Sequence, residues 1–184
     1  RSNLDSFRYI LKARDFSTNM NEIKSLAPSL NNINPKIENR LGSIRFNGQC
    51  SGSMNNLDVN GSLSTALGAL DADLHIHFPE GSTGSYEGHL SSTGLDIGPL
   101  TGNYQIGHIA FAGNINGRGF MPQQLKADLD INIDQAEIGN YNYKNANLKG
   151  HIENGFADGA LKINDPNLDI PELSGKIIFG ENKL

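Results

Sequence analysis

The 184-residue chain has no tryptophan and one cysteine, Cys50, so no internal disulfide can staple it, and cysteine usage assigns no compartment. Cys50 reads as a small buried hydrophobe. Lysine and arginine never cluster and the formal net charge is -5, which removes the electrostatic footprint that nucleic-acid binding needs. No apolar run approaches the roughly 18 to 20 residues of a membrane-spanning helix. The chain opens at Arg1 without a methionine or a signal peptide. It is therefore expected to be a piece of a longer protein, with any anchor or export signal outside it. Catalytic signatures are missing too: there is no Gly-x-Ser-x-Gly elbow, no phosphate loop ending in Lys-Ser/Thr and no His-Glu-x-x-His helix. The glycine-rich stretch from Gly113 to Gly119 does not lead into a helix, so it lacks the helix N-terminus that would hold phosphate. A non-catalytic chain without a cofactor is the expectation.

What the chain has instead is alternation. In the clearest segment Leu125, Ala127, Leu129, Ile131 and Ile133 fall on one parity, and Lys126, Asp128, Asp130, Asn132 and Asp134 on the other. Period two puts alternate side chains on opposite faces of a strand, whereas helical spacing would scatter both sets around an axis. The pattern recurs along the chain. Phe7, Tyr9, Leu11 and Ala13 share a parity, as do Ile44, Phe46 and Cys50, and then Leu57, Val59, Leu63 and Leu67. After a parity change near Gly68, where a bulge or tight turn is expected, the set becomes Leu70, Ala72, Leu74, Ile76 and Phe78. Tyr86 and Leu90 follow, then Ile109, Phe111 and Ile115, Leu148 and Ile152, Leu161 and Ile163, and finally Leu173, Ile177 and Phe179. Turn chemistry separates them at Asn55-Asn56, Pro79-Glu80-Gly81, Arg118-Gly119, Gly139-Asn140, Asn154-Gly155 and Asp165-Pro166-Asn167. About ten strands joined by short turns predict an antiparallel meander. Residues 21–27, with Thr18 or Asn19 near the cap, predict one short helix near the N-terminus; 95–102 is either a helical turn or a loop. The chain reads as one unit, 1–184, with a subdivision between 1–100 and 101–184.

Many glycines fall on the apolar parity: Gly48, Gly61, Gly88, Gly113, Gly150, Gly159 and Gly175. A strand glycine marks a bend or a close approach, so this placement predicts a strongly curved sheet that is narrow or hollow on its apolar side. A sheet with one apolar face must bury it in a sandwich, in a closed barrel or against an apolar ligand. Composition does not choose among them.

Smaller motifs carry less. His75 and His77, with Asp71 and Asp73, share a strand face that could hold zinc, but no ligand spacing repeats, and a solvated outer face is the simpler reading. Asp128, Asp130 and Asp134 lack the dense loop of oxygen ligands that calcium requires. Asn60-Gly61-Ser62 matches a glycosylation sequon but sits within a strand. Paired carboxylates for glycoside hydrolysis are nowhere nominated. Phe46, Phe78, Tyr86, Phe111, Phe156 and Phe179 mostly share the inward parity.

The run from Tyr141 to Gly150, then Asn154 to Ile163 and Asp165 to Leu168, has the form of a strand ending in Gly, an Asn-Gly turn, a strand ending in Asp-Pro-Asn, and a strand with an inward Gly175. It resembles the TamB (translocation and assembly module) family, especially its versions from Bacteroidota. Phe46 to Gly52 and Leu57 to Gly61 more loosely resemble the related AsmA-type repeats. The resemblance implies a long, curved antiparallel meander forming an open groove, part of an inner-membrane-anchored periplasmic protein. Its partners would be phospholipid and, through regions outside this chain, an outer-membrane barrel of the TamA type. Its role would be lipid transport to the outer membrane and support of outer-membrane protein assembly. The groove would be lined by Phe46, Leu63, Leu74, Ile76 and Phe78 from the first half. From the second half come Ile109, Phe111, Ile115, Leu129, Ile131, Ile133, Leu148, Ile152, Leu161, Ile163, Ile177 and Phe179. The alternative is a self-contained β-sandwich or barrel that binds carbohydrate or protein as an adhesion module. The free edges near Phe7 and Phe179 are expected to pair two copies edge to edge.

Overall fold

The computed structural model describes residues 8–26, 35–53, 55–78, 83–119, 124–153 and 156–178. Ten strands follow one another: β1 (Tyr9–Thr18), β2 (Ile44–Gly52), β3 (Asn56–Thr65), β4 (Gly68–His77), β5 (Ser85–Asp96), β6 (Ile106–Arg118), β7 (Lys126–Ile138), β8 (Tyr141–Glu153), β9 (Phe156–Asp165) and β10 (Leu168–Ile178). Each pairs antiparallel with the next, in one sheet whose spatial order is its chain order. The meander read from alternation is therefore the fold. It is open, since β1 and β10 pair with no other strand among the described residues. A second layer, which a sandwich would require, is not formed by the described residues.

Three short helices accompany the sheet: α1 (Met20–Leu26), α2 (Pro35–Leu41) and α3 (Gly98–Thr101). In α1 the Asn19 side-chain oxygen accepts the Glu22 N–H at 3.1 Å, so Asn19 is the cap, and Thr18 Oγ1 donates to the Glu22 carboxylate at 2.8 Å. The expectation of a single N-terminal helix thus falls short by α2. Its seven residues are too few to show a helical period, and only the proline at its first position marks its start. The 95–102 stretch is the helical turn α3, with Gly102 closing it at φ 74°.

All three helices lie at one end of the strands, where several of the few buried residues also sit. Met20, Ile44 and Leu67 are buried, together with Gly98 and Pro99 of α3. The β3–β4 turn is made by Ala66 and Leu67, and Gly68 takes φ 126° immediately after it, which is where the apolar parity changes. A line of irregularities crosses the sheet just below this end. Register shifts fall between Ala13 and Phe16, Ser92 and Leu95, Ile106 and Ile109, Ala110 and Phe111, and Ile170 and Leu173. Asp15 and Asn145 adopt φ 52° and 54° at the same level. Bulges of this kind bend a strand and increase its twist. The expected turns at 79–81 and 154–155, together with Phe7, Ala27 and Phe179, lie outside the described residues.

The candidate apolar groove

Between the register shifts the strands pair residue for residue, so inward side chains line up in rows across the sheet, two of which reach all ten strands. One row runs Leu11, Cys50, Val59, Leu74, Gly88, Ile115, Leu129, Gly150, Gly159, Gly175. A second runs Ala13, Gly48, Gly61, Ala72, Leu90, Gly113, Ile131, Leu148, Leu161, Leu173. Ile76, Tyr86, Gly117, Ala127 and Ile152 lie in a third, and Phe111, Ile133, Ala146 and Ile163 in a fourth. Rows are about 7 Å apart, and nine strand spacings carry each about 43 Å across the array. The apolar strip therefore runs perpendicular to the strands.

Little covers it. Among the described residues no large side chain is fully buried, and the buried hydrophobics are Met20, Ile44, Leu67, Ala127 and Ala136. The accessible surface is 12405 Å², against about 8,700 Å² for a compact protein of this mass. Phe46, Leu63, Leu74, Ile76, Ile109, Phe111, Ile115, Leu129, Ile131, Ile133, Leu148, Ile152, Leu161 and Ile163 are all half-buried, shielded mainly by one another. Phe78 lies just past β4 and is exposed. Ile177 is in the third row within β10, its side chain outside the described set, as is all of Phe179. Phe156, read as inward, falls on the polar face instead, where the Lys176 ammonium stands 4.3 Å from its ring centroid.

The inward glycines show how the sheet bends. A Cβ added to Gly61 would lie 2.5 Å from the Asn47 carbonyl oxygen and 2.8 Å from Gly48 Cα, atoms of the adjacent strand. Since that Cβ would point to the apolar side, β2 rises toward the same side: the pair Gly48–Gly61 is a local crease toward that side. The Phe46 ring closes over this pair, 2.9 Å from the same added atom, and Tyr86 lies likewise over Gly117. Burial by these neighbours raises the Tyr86 phenol above its ordinary value, and burial followed by the Asp58 charge raises the Cys50 thiol. Cys50 is accordingly a wall residue held as the neutral thiol.

The other face is polar and knit by cross-strand pairs. His75 meets Asp58 at 2.7 Å, His151 meets Asp128 at 2.8 Å, and Lys149 meets Asp130 at 2.9 Å. Hydrogen bonds from Lys149 and Asn147 hold Asp130 below the usual carboxylate range, and the backbone and side chain of His108 do the same for Glu137. A hollow of about 710 Å³ opens between these residues on the polar side, lined by Asp58, His75, Glu87, His89 and Asp130 among others. Further hollows of about 600, 290 and 150 Å³ open on the same polar face, beside Asn132, Lys162 and Asp169, beside Asn60, Asp71 and His89, and beside His75 and Glu87. His77 bonds to Asn56 at 2.7 Å rather than joining His75. Among the described residues no group of three or more His, Cys, Asp or Glu could hold a metal ion.

No family model, curated protein or solved structure matches the chain. The likeness to the TamB family rests on the residues quoted for it.

One feature of the groove wall was hidden in the sequence. Asp165, read as a simple turn residue, is buried, and its carboxylate accepts the Tyr141 hydroxyl at 2.8 Å, the Lys144 N–H at 2.9 Å and the Asn167 N–H at 2.9 Å. Burial alone would raise its pKa; the Asn167, Tyr141 and Lys144 bonds outweigh this and leave it below the ordinary value. The only forewarning was an aspartate at the first position of a turn.

Proposed function

We propose that the chain is a non-catalytic segment of a TamB-like periplasmic bridge protein, anchored in the inner membrane through other parts of that protein. Its apolar groove shelters phospholipid acyl chains on the way to the outer membrane. The observation that carries this reading is the apolar strip, whose rows of apolar side chains and glycines cross all ten strands and are covered by no layer of the described residues. Water against such a strip is unfavourable by about 0.8 kcal/mol per methylene that could be buried there. A hydrocarbon tail lying along the rows removes that exposure without needing hydrogen-bond partners, and the polar face keeps the assembly soluble. Support for outer-membrane protein assembly, with a TamA-type barrel as partner, belongs to the same proposal through the family likeness.

The test is native mass spectrometry of the purified chain combined with solvent extraction. Phospholipid is expected to co-purify and to be depleted when Leu129 and Ile131 are both replaced by Asp. Lipid-free protein from a lipid-rich lysate would count against the reading.

A further inference from the structure

We propose that the two outer strands of the described sheet, β1 and β10, are complementary to each other, so that copies of this chain join head to tail, β10 of one to β1 of the next. The partner is a second copy in the same orientation, not a two-fold mate. With ten strands alternating in direction, β1 and β10 run oppositely, so a translated copy presents an antiparallel strand to β10.

If the rows of the sheet continue unbroken into the next copy, Leu11 of that copy falls beside Gly175, and every other pair is then fixed. Tyr9 meets Ile177, Ala13 meets Leu173, Phe16 meets Ile170 and Thr18 meets Leu168. Four independent features agree with this register. First, β1 carries one extra residue relative to β2 between Ala13 and Phe16, and β10 carries one extra relative to β9 between Ile170 and Leu173. In the joined ladder these bulges stand opposite and cancel, two residues facing two. Second, Pro171, which has no N–H to give, falls opposite Asp15, whose N–H is already held by the Asn47 side chain at 2.7 Å. Third, Arg14 falls opposite Glu172. Fourth, size matches size: Leu11 is 61% exposed, and a Cβ on Gly175 would meet nothing within 4 Å, while exposed Leu173 faces small Ala13.

A bulge and a proline on an edge strand ordinarily deter pairing. Here both edges carry their interruptions at one level, which deters other strands while leaving this pair compatible. An interface of this kind is heterologous and does not close on itself, so it propagates into short open arrays in which the apolar strip runs on from copy to copy. The inference concerns the edges alone and stands whatever the groove holds.

The test uses single-cysteine proteins in a Cys50→Ser background, Lys12→Cys and Ser174→Cys, residues that would sit opposite each other. Mixing the two is expected to give a disulfide-linked heterodimer, and neither protein alone should cross-link. Arg14→Glu is expected to weaken association in sedimentation velocity about two- to five-fold, and Arg14→Glu with Glu172→Arg to restore it. Cross-links within one single-cysteine protein would overturn the head-to-tail arrangement. A monomer at every concentration, with no cross-link on mixing, would overturn the edge pairing altogether.

Discussion

Asp165 shows how one side chain holds a groove wall without entering the groove. Its carboxylate ties the Pro166–Asn167 turn to Tyr141 and to the backbone of β8, where Asn145 leaves the extended conformation. The hydrogen bonds favour the charged form, and its folded pKa lies below the ordinary aspartate value of about 3.9. The stabilisation is therefore complete above that value and is lost as pH falls through the lower folded value. Asp165→Asn is expected to unfold at a lower temperature at neutral pH, and to lose less further stability than the parent on acidification. Parallel acid limbs for the two proteins, followed by circular dichroism during heating, would contradict the role assigned to this carboxylate.

Strands, turns and creases differ in how plainly they are written in the chain. Alternation from Leu125 to Asp134 identifies β7 because period two is the geometry of the strand itself, and the same reasoning supplies the other strands and the meander. The Gly68 parity change marks a turn for the same reason. The bulge at Asp15 and the positive φ of Asn145 were not legible: Asp and Asn tolerate that conformation, but they recur throughout the chain, and nothing local marks these two among the others. Phe156 was misplaced because an aromatic residue is not bound to the inward face, and a lysine can cover its ring as well as a core can. The inward glycines were legible as a class, but which of them make creases depends on the adjacent backbone. Gly61 and Gly175 share the inward parity and separate cleanly on that criterion. Gly61→Val, whose branched side chain would overlap the Asn47 carbonyl and Gly48, is expected to destabilise by about 2 to 3 kcal/mol. Gly175→Ala, with open space around it, is expected to be neutral or stabilising by up to about 1 kcal/mol. Denaturant unfolding of both in dilute solution checks the pair; equal effects would mean that the sheet is not creased at Gly48–Gly61.

As a whole molecule the chain departs from the usual solution for a one-sided sheet, which is to pack it against a second layer. Among the described residues its buried hydrophobics are few, Met20, Ile44 and Leu67 at the helix-bearing end of the strands and Ala127 and Ala136 in β7. The rest of the apolar face is shielded, among the described residues, by aromatic rings lying over glycines and by neighbouring inward side chains. Such an architecture is stable when something apolar completes it, and the continuous rows suit a long, featureless ligand better than a compact one. The direct measurement is photo-cross-linking to vesicle phospholipid, with a photoreactive amino acid placed in turn at Ile115, Leu129 and Ile131 on the apolar rows, and at Asn116, Asp130 and Asn132 on the opposite face of the same strands. The account predicts lipid adducts at the first three positions and few or none at the second three; adducts distributed equally over both faces, or confined to the polar one, would contradict it.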